Sequence, residues 1–256
     1  MPTPTVINKW RYSDAINRRF WDENYQYSNW IYNPVTSKVA GGAAGGTAGD
    51  TNLLINPDIE LEYHIKGTQT ITAPIIRSVA EGQSALDINM DQTDNDGVEL
   101  CAGILTSNRQ AFKVGTDPAF FFRVRFSIAD VSGTDDCAIG FREAEAYQAN
   151  IDDYTDMAVL NVISGDIFIE TILANAATVS TDTTNNWADA EIHELKVLVS
   201  STGVVTYLID GVAPLVTAAY TFTSGLFVVP FIFFLNAAAP VAGQVNVREW
   251  ECGFQS

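Results

Sequence analysis

Only two histidines, three cysteines and three methionines occur in the 256 residues, and Lys and Arg together number 14 against 31 Asp and Glu. A formal net charge of −17 repels phosphate backbones and anionic lipid, so neither nucleic acid nor membrane is expected as a partner. Cys101, Cys137 and Cys252 stand far apart, odd in number and without metal-ligand spacing. They read as thiols of a chain made in a reducing cytosol, with one bridge still open to them. The opening MPTPTVINKWRYSDAINRRFW has no apolar h-region, so no secretory signal is expected. No apolar run reaches the roughly 20 residues of a spanning helix. The longest, Leu226 to Leu235, contains Pro230 and reads as a buried strand pair or a strand with a bend.

Catalytic signatures are missing as well. No G-x-S-x-G elbow occurs, and the glycines between 41 and 49 follow no strand and open no helix, as a phosphate-binding loop would. His64 and His193 fall at alternating positions of strand-like segments, without the nearby partners of a triad or a metal site. They are expected to be ordinary strand residues. On these grounds no catalytic residue, metal ligand or cofactor is assigned, and the chain is expected not to be an enzyme.

What the chain does contain is β-pattern. In HELKVLVSSTGVVTYLIDG, residues 193–211, Leu195, Val197 and Val199 alternate with Glu194, Lys196, Leu198 and Ser200. That is the period of a strand with one buried face. Ser201-Thr202-Gly203 turns the chain, Val204 to Ile209 forms a second strand, and Asp210-Gly211 turns it again. The form H-x-L-x-V-x-V, then V-x-Y-x-I-D-G, carried by His193, Leu195, Val197, Val199, Gly203, Val205, Tyr207, Ile209, Asp210 and Gly211, resembles the concanavalin A-like (laminin-G/glucanase) jelly rolls. The resemblance implies the fold and no activity, because that fold hosts lectins, glycosidases and structural modules.

Residues 1–39 differ from the rest. Trp10, Tyr12, Phe20, Trp21, Tyr25, Tyr27, Trp30 and Tyr32 crowd together, and Lys9, Arg11, Arg18, Arg19 and Lys38 outnumber the acidic side chains. Ser13 to Asn24 admits a short helix with Ser13 as N-cap. Ala40 to Asp50 is rich in glycine and reads as a linker. Residues 51–256 follow as one domain of about a dozen strands, among them 59–65, 71–79, 98–104, 119–128, 138–141, 157–163, 167–173, 227–235 and 245–250, with room for a short helix at 144–150. The expected fold is all-β, a jelly-roll sandwich with an extended N-terminal arm. Two roles suit the arm: docking on another chain through Trp10, Arg11, Tyr12, Phe20, Trp21, Tyr25, Trp30 and Tyr32, the residue types that dominate interfaces, or packing back over its own sandwich.

A glucanase of this fold would need carboxylates about 5 Å apart, or somewhat more for inversion, usually as E-x-D-x-E on one strand. Asp166 and Glu170 come nearest, but an extended strand sets them roughly 13 Å apart, with Phe168 in the middle. Glu143-Ala-Glu145 is closer, yet it reads as a solvated edge or a helix start, with Arg142 ion-paired to a nearby carboxylate. Asp87, Asn89, Asp91, Asp94, Asn95, Asp96 and Glu99, and separately Asp152, Asp153 and Asp156, raise calcium; Gln92 breaks the EF-hand frame, and surface Asp-Asn turns are common in acidic β proteins. Trp187 and Trp250 are loose candidates for a sugar platform, although Trp187 is expected to pack at the entry to the His193 strand.

A second resemblance covers most of residues 90–253. TDNDGVEL, the run 117–167 with FFFRVRF and GFREAEAY, and the closing VREWECG are similar to structural proteins of tailed bacteriophages. It implies a virion role: a head decoration or cement protein, made in the host cytoplasm, docked by its arm on the major capsid protein and homo-oligomeric, with a trimer one option. The alternative it leaves is a tail or fibre module binding host glycans, and a glucanase-like enzyme comes third.

Overall fold

The computed structural model describes residues 20–22, 27–31, 39–40, 50–55, 60–67, 75–78, 85–88, 93–101, 111–237 and 245–255. In chain order the strands are β1 (Phe20–Asp22), β2 (Tyr27–Ile31), β3 (Val39–Ala40), β4 (Asp50–Ile55), β5 (Glu60–Lys66), β6 (Ile75–Ser78), β7 (Ala85–Ile88), β8 (Gly97–Cys101) and β9 (Phe112–Lys113). There follow β10 (Phe120–Ile128), β11 (Thr134–Glu143), β12 (Met157–Ile163), β13 (Asp166–Ile172), β14 (Val179–Asn186), β15 (Ile192–Val199), β16 (Val205–Ile209), β17 (Phe227–Asn236) and β18 (Val245–Phe254).

They form two antiparallel sheets. One has the order β1-β2-β18-β10-β15-β16, with β7 on β18 and β6 on β7. The other, ten-stranded, runs β14-β13-β12-β11-β17-β8-β5-β4-β3, with β9 on β17. Alternation along β10 and β11 turns one set of side chains inward: Phe120, Phe122, Val124 and Phe126 of β10 face Cys137, Ile139 and Phe141 of β11 and their neighbours in a single buried cluster. Phe120 stacks on Phe112 at 4.5 Å, and Phe122 meets Trp250 at 4.4 Å. The all-β jelly-roll sandwich read from the sequence is the fold observed.

The founding hairpin forms as its turn residues dictate. Asp210 and Gly211 both take left-handed backbone, at φ 51° and 79°, and the Asp210 carboxylate accepts from Glu194 N at 2.9 Å. At the other end Gly203 has φ 90°, and a Cβ there would sit 2.5 Å from the Phe222 carbonyl.

Three local readings change. Residues 144–150 form no helix, because the carbonyls of Glu143 and Glu145 turn onto the Arg142 guanidinium instead of continuing a helical ladder. Phe20–Asp22, placed in a helix by the N-cap pattern at Ser13, is strand paired to β2. The apolar run through Pro230 is one strand, Phe227–Asn236, in which Pro230 stands opposite Phe141 of β11.

Tyr27–Ile31 adds directly to β18, with Trp30 opposite Trp250. Phe20, Trp21 and Trp30 of the arm thus lie in strands of the chain's own sheet, and Val39–Ala40 pairs with β4. Trp10, Arg11, Tyr12, Tyr25 and Tyr32 lie outside the described residues, as does the linker between 41 and 49.

Candidate functional site

The outer face of the ten-stranded sheet is where polar chemistry collects. Pairing registers set His64, Glu99, Phe233, Ala138, Asn161 and Phe168 side by side across six strands in one row. Most of this row is closed over by the connection between β11 and β12, residues 144–155, whose Ile151 and Tyr154 are buried against Met157, Ile172, Phe231 and Phe233.

Beneath that connection lies a buried ionic centre. Arg142 Nε donates to Glu99 Oε1 at 2.8 Å with both side chains fully excluded from solvent. The guanidinium also donates to the carbonyls of Glu143 and Glu145 at 2.8 and 3.2 Å. Tyr154 donates its phenol proton to Glu99 Oε2. Beside them the Lys66 ammonium group donates to Gln148 O at 3.1 Å and sits 2.9 Å from the centre of the Phe233 ring. Tyr147 stacks on His64 at 4.7 Å. Burial pushes Lys66 down to about 7, against the pull of Glu99 and Asp136.

In the neighbouring half of the face Asn161 is fully buried and Glu170 is 7% exposed, with Asp136 and Phe168 half-buried at the surface. Asn161 Oδ1 accepts from Cys137 N at 2.9 Å, which fixes the orientation of the amide. Nδ2 donates to Asp136 Oδ1 at 2.6 Å and to Glu170 Oε2 at 2.8 Å. One amide is thereby held between two carboxylates. Burial raises both carboxyls, Asp136 to about 6, with Glu170 and Asp152 adding repulsion at Asp136. Phe168 is half-buried beside Asn161, and exposed Asp182 stands opposite it on β14.

The residues singled out in the sequence divide accordingly. Arg142 is ion-paired, and its partner is Glu99 from the acidic turn, an interior residue rather than a loop ligand. Glu145 accepts from Thr155 N and Oγ1 at 2.7 and 2.9 Å and pins the connection rather than facing Glu143 across a cleft. Glu170 joins the Asn161 row, while Asp166, exposed, does not. Asp152 accepts from Thr178 and Asp156 from Tyr220; Asn89 and Asp91 lie outside the described residues. Among the described residues no group of three or more His, Cys, Asp or Glu is arranged to hold a metal ion. Trp187 and Trp250 are both buried, Trp187 against Phe126 at 4.5 Å, so neither is a sugar platform. The three cysteines are buried thiols that form no disulfide. His64, Lys66, Asp136, Asn161, Tyr147 and Tyr154 were not picked out as a group, because nothing local in sequence links β5, β8, β11, β12 and β13 at one row.

The two antiparallel sheets define a jelly-roll sandwich. No family model and no curated protein matches the chain. Among solved structures, the potassium-bound carbohydrate-recognition domain of Emp46p is similar over 74% of this chain and 87% of its own, at 7% identity and a TM-score of 0.52. An alginate lyase from Corynebacterium sp. matches over 68% and 79% at 13% identity and 0.49. A protein of unknown function from Shewanella oneidensis MR-1 matches over 99% and 95%, at 13% and 0.49. At such identities the likeness bears on the fold alone. The expectation that the chain is not an enzyme is corrected here: alginate lyases stand beside carbohydrate-recognition domains among proteins of this shape, so the architecture excludes neither role.

Proposed function

We propose that the chain engages carbohydrate on the outer face of its ten-stranded sheet, at the row Asp136, Asn161, Glu170 and Phe168. The observation that carries this reading is the Asn161 amide held at 2.6 and 2.8 Å from two carboxylates beside a half-buried ring. Carboxylate oxygens in fixed positions accept paired sugar hydroxyls, and an aromatic face takes the apolar side of a pyranose. The carbohydrate-recognition fold of Emp46p agrees by analogy of architecture.

Charge narrows the ligand. Asp135, Asp136, Asp152, Glu170 and Asp182 lie on or beside this half of the face, and the whole chain carries −17. A neutral glycan is therefore favoured over polyuronate or sulfated chains. Calorimetric titration of the full chain against neutral β-glucans, mannans and alginate tests this, with reducing-end and unsaturated-uronate assays on the same mixtures to read out cleavage. Saturable binding to a neutral glycan that weakens several-fold in Asp136→Asn is the expected result. Absence of binding across the panel would remove the reading.

A second reading rests on the resemblance of residues 90–253 to phage structural proteins, whose two most distinctive stretches fall on β10 and on the run from β11 into the connection that covers the face. In it the chain is a virion protein, a head decoration bound to the major capsid protein as a homo-oligomer, docked through those of Trp10, Arg11, Tyr12, Phe20, Trp21, Tyr25, Trp30 and Tyr32 that reach a partner. A tail or fibre position would join this reading to glycan binding. Quantitative mass spectrometry of purified particles tests it: hundreds of copies support the shell, a few to a few tens support the tail, and absence removes the virion.

A further inference from the structure

The connection at 144–155 encloses an unusual floor. Arg142, Glu99, Lys66 and His64 are each 2% exposed or less, and burying charge is costly unless every charge finds a partner. The connection supplies several of those partners from its backbone and its phenol: the Glu145 carbonyl to Arg142, the Gln148 carbonyl to Lys66 and the Tyr154 hydroxyl to Glu99, while Glu143 O at the end of β11 gives Arg142 a second carbonyl. It contains no regular structure beyond a single 3-10 turn at Ile151–Asp153. Its base is clamped by Glu143 N to Asp156 O at 2.8 Å and Ala144 N to Phe227 O at 2.8 Å. Between the clamps Ala146, Ala149, Asn150, Asp152 and Asp153 are exposed.

We propose that residues 144–155 are a strap that lifts from the sheet while the sandwich stays folded, and that Lys66 is the residue to which its closure is coupled. Closed, the strap removes water from the Lys66 amine and leaves it, among the described residues, one carbonyl and the rings of Phe233 and Tyr147. Lifted, the amine is solvated again. The groups facing it are Glu99 on β8, Asp136 and Arg142 on β11, Asp153 and Tyr147 on the strap, and His64 on its own strand. Phe233 on β17 adds no charge.

The sign follows from linkage. Lys66 titrates near 7 under the strap and near its ordinary 10.5 in water. The lifted form therefore binds the extra proton between those values, and lifting becomes harder as pH rises through that window. Below about 7 the amine is charged in both forms, and the dependence flattens. Asp136, at about 6, titrates below the window, and burial moves the phenols of Tyr147 and Tyr154 above their ordinary range.

Pulsed hydrogen exchange on the full chain between pH 7 and 9 reads the lifting directly. The amide of Asn175, which donates to Thr155 O of the strap at 2.7 Å, and those of Gln148 and Thr155, bonded within the strap, report the strap, and those of β12 report global opening. Once rates are divided by intrinsic exchange, the strap's opening constant should exceed that of β12 at least tenfold. It should fall by about tenfold per pH unit in the wild type and stay flat in Lys66→Met. Strap amides that exchange only together with β12 would overturn the proposal. So would a wild-type opening constant that is flat from pH 7 to 9, a result that needs no variant to fold.

Discussion

Arg142 Nε lies 2.8 Å from Glu99 Oε1, on adjoining sides of β17 and wholly out of solvent, so two strands far apart in sequence are joined by one buried ion pair. Removing either member leaves the other buried without its counter-ion. Glu99→Gln and Arg142→Met are each expected to lower unfolding free energy by about 3–5 kcal/mol in urea titration. The double variant should recover part of that loss, since a neutral pair strands no charge.

Asp136 offers the opposite sign. Its carboxyl is raised from 3.8 to about 6, so the folded chain binds that proton more tightly than the unfolded chain, and its contribution to stability declines as pH climbs from about 4 to 6. Asp136→Asn removes the buried charge and keeps an oxygen for Asn161. Thermal unfolding at pH 7 should show the variant more stable, on the order of 1 kcal/mol, while its glycan affinity falls several-fold.

His193 Nδ1 lies 2.6 Å from Asp210 Oδ2, and Nε2 lies 3.1 Å from Glu191. Burial opposes charge on the ring, but the two carboxylates outweigh it and raise its pKa. Stability from this group is present below about pH 6.5 and is lost as pH rises through the raised value. The site is partly exposed and screened, so the effect is small. Asp210→Asn should flatten the corresponding step in a stability profile from pH 5 to 8.

Gly203→Ala should cost about 1–3 kcal/mol by chemical denaturation, because alanine is strained at φ 90° and its methyl meets the Phe222 carbonyl.

The sandwich was legible because its strands carry alternating apolar residues and its turns carry Gly and Asp where left-handed backbone is needed. Met157–Ile163 appears with the bounds its pattern implies. Val179–Asn186 was missed, since VSTDTTNN is an exposed edge strand whose Ser, Thr and Asn read as turn residues. The face was missed for a different reason. Asp136, Asn161 and Glu170 are unremarkable alone, and only the registers of β11, β12 and β13 bring them together. Local pattern records which side of a strand is wet, whereas a site assembled across strands is written in pairing.

If the Asn161 row meets carbohydrate, its own amide is the best witness. The Asn161 side-chain NH2, bonded to two carboxylates, can be followed by nitrogen-resolved NMR while a neutral oligosaccharide is added to the full chain. A saturable shift of that signal and of Phe168, reduced in Asp136→Asn, is expected. Saturable binding that leaves both signals unmoved would put the glycan elsewhere on the chain and remove this row as its site.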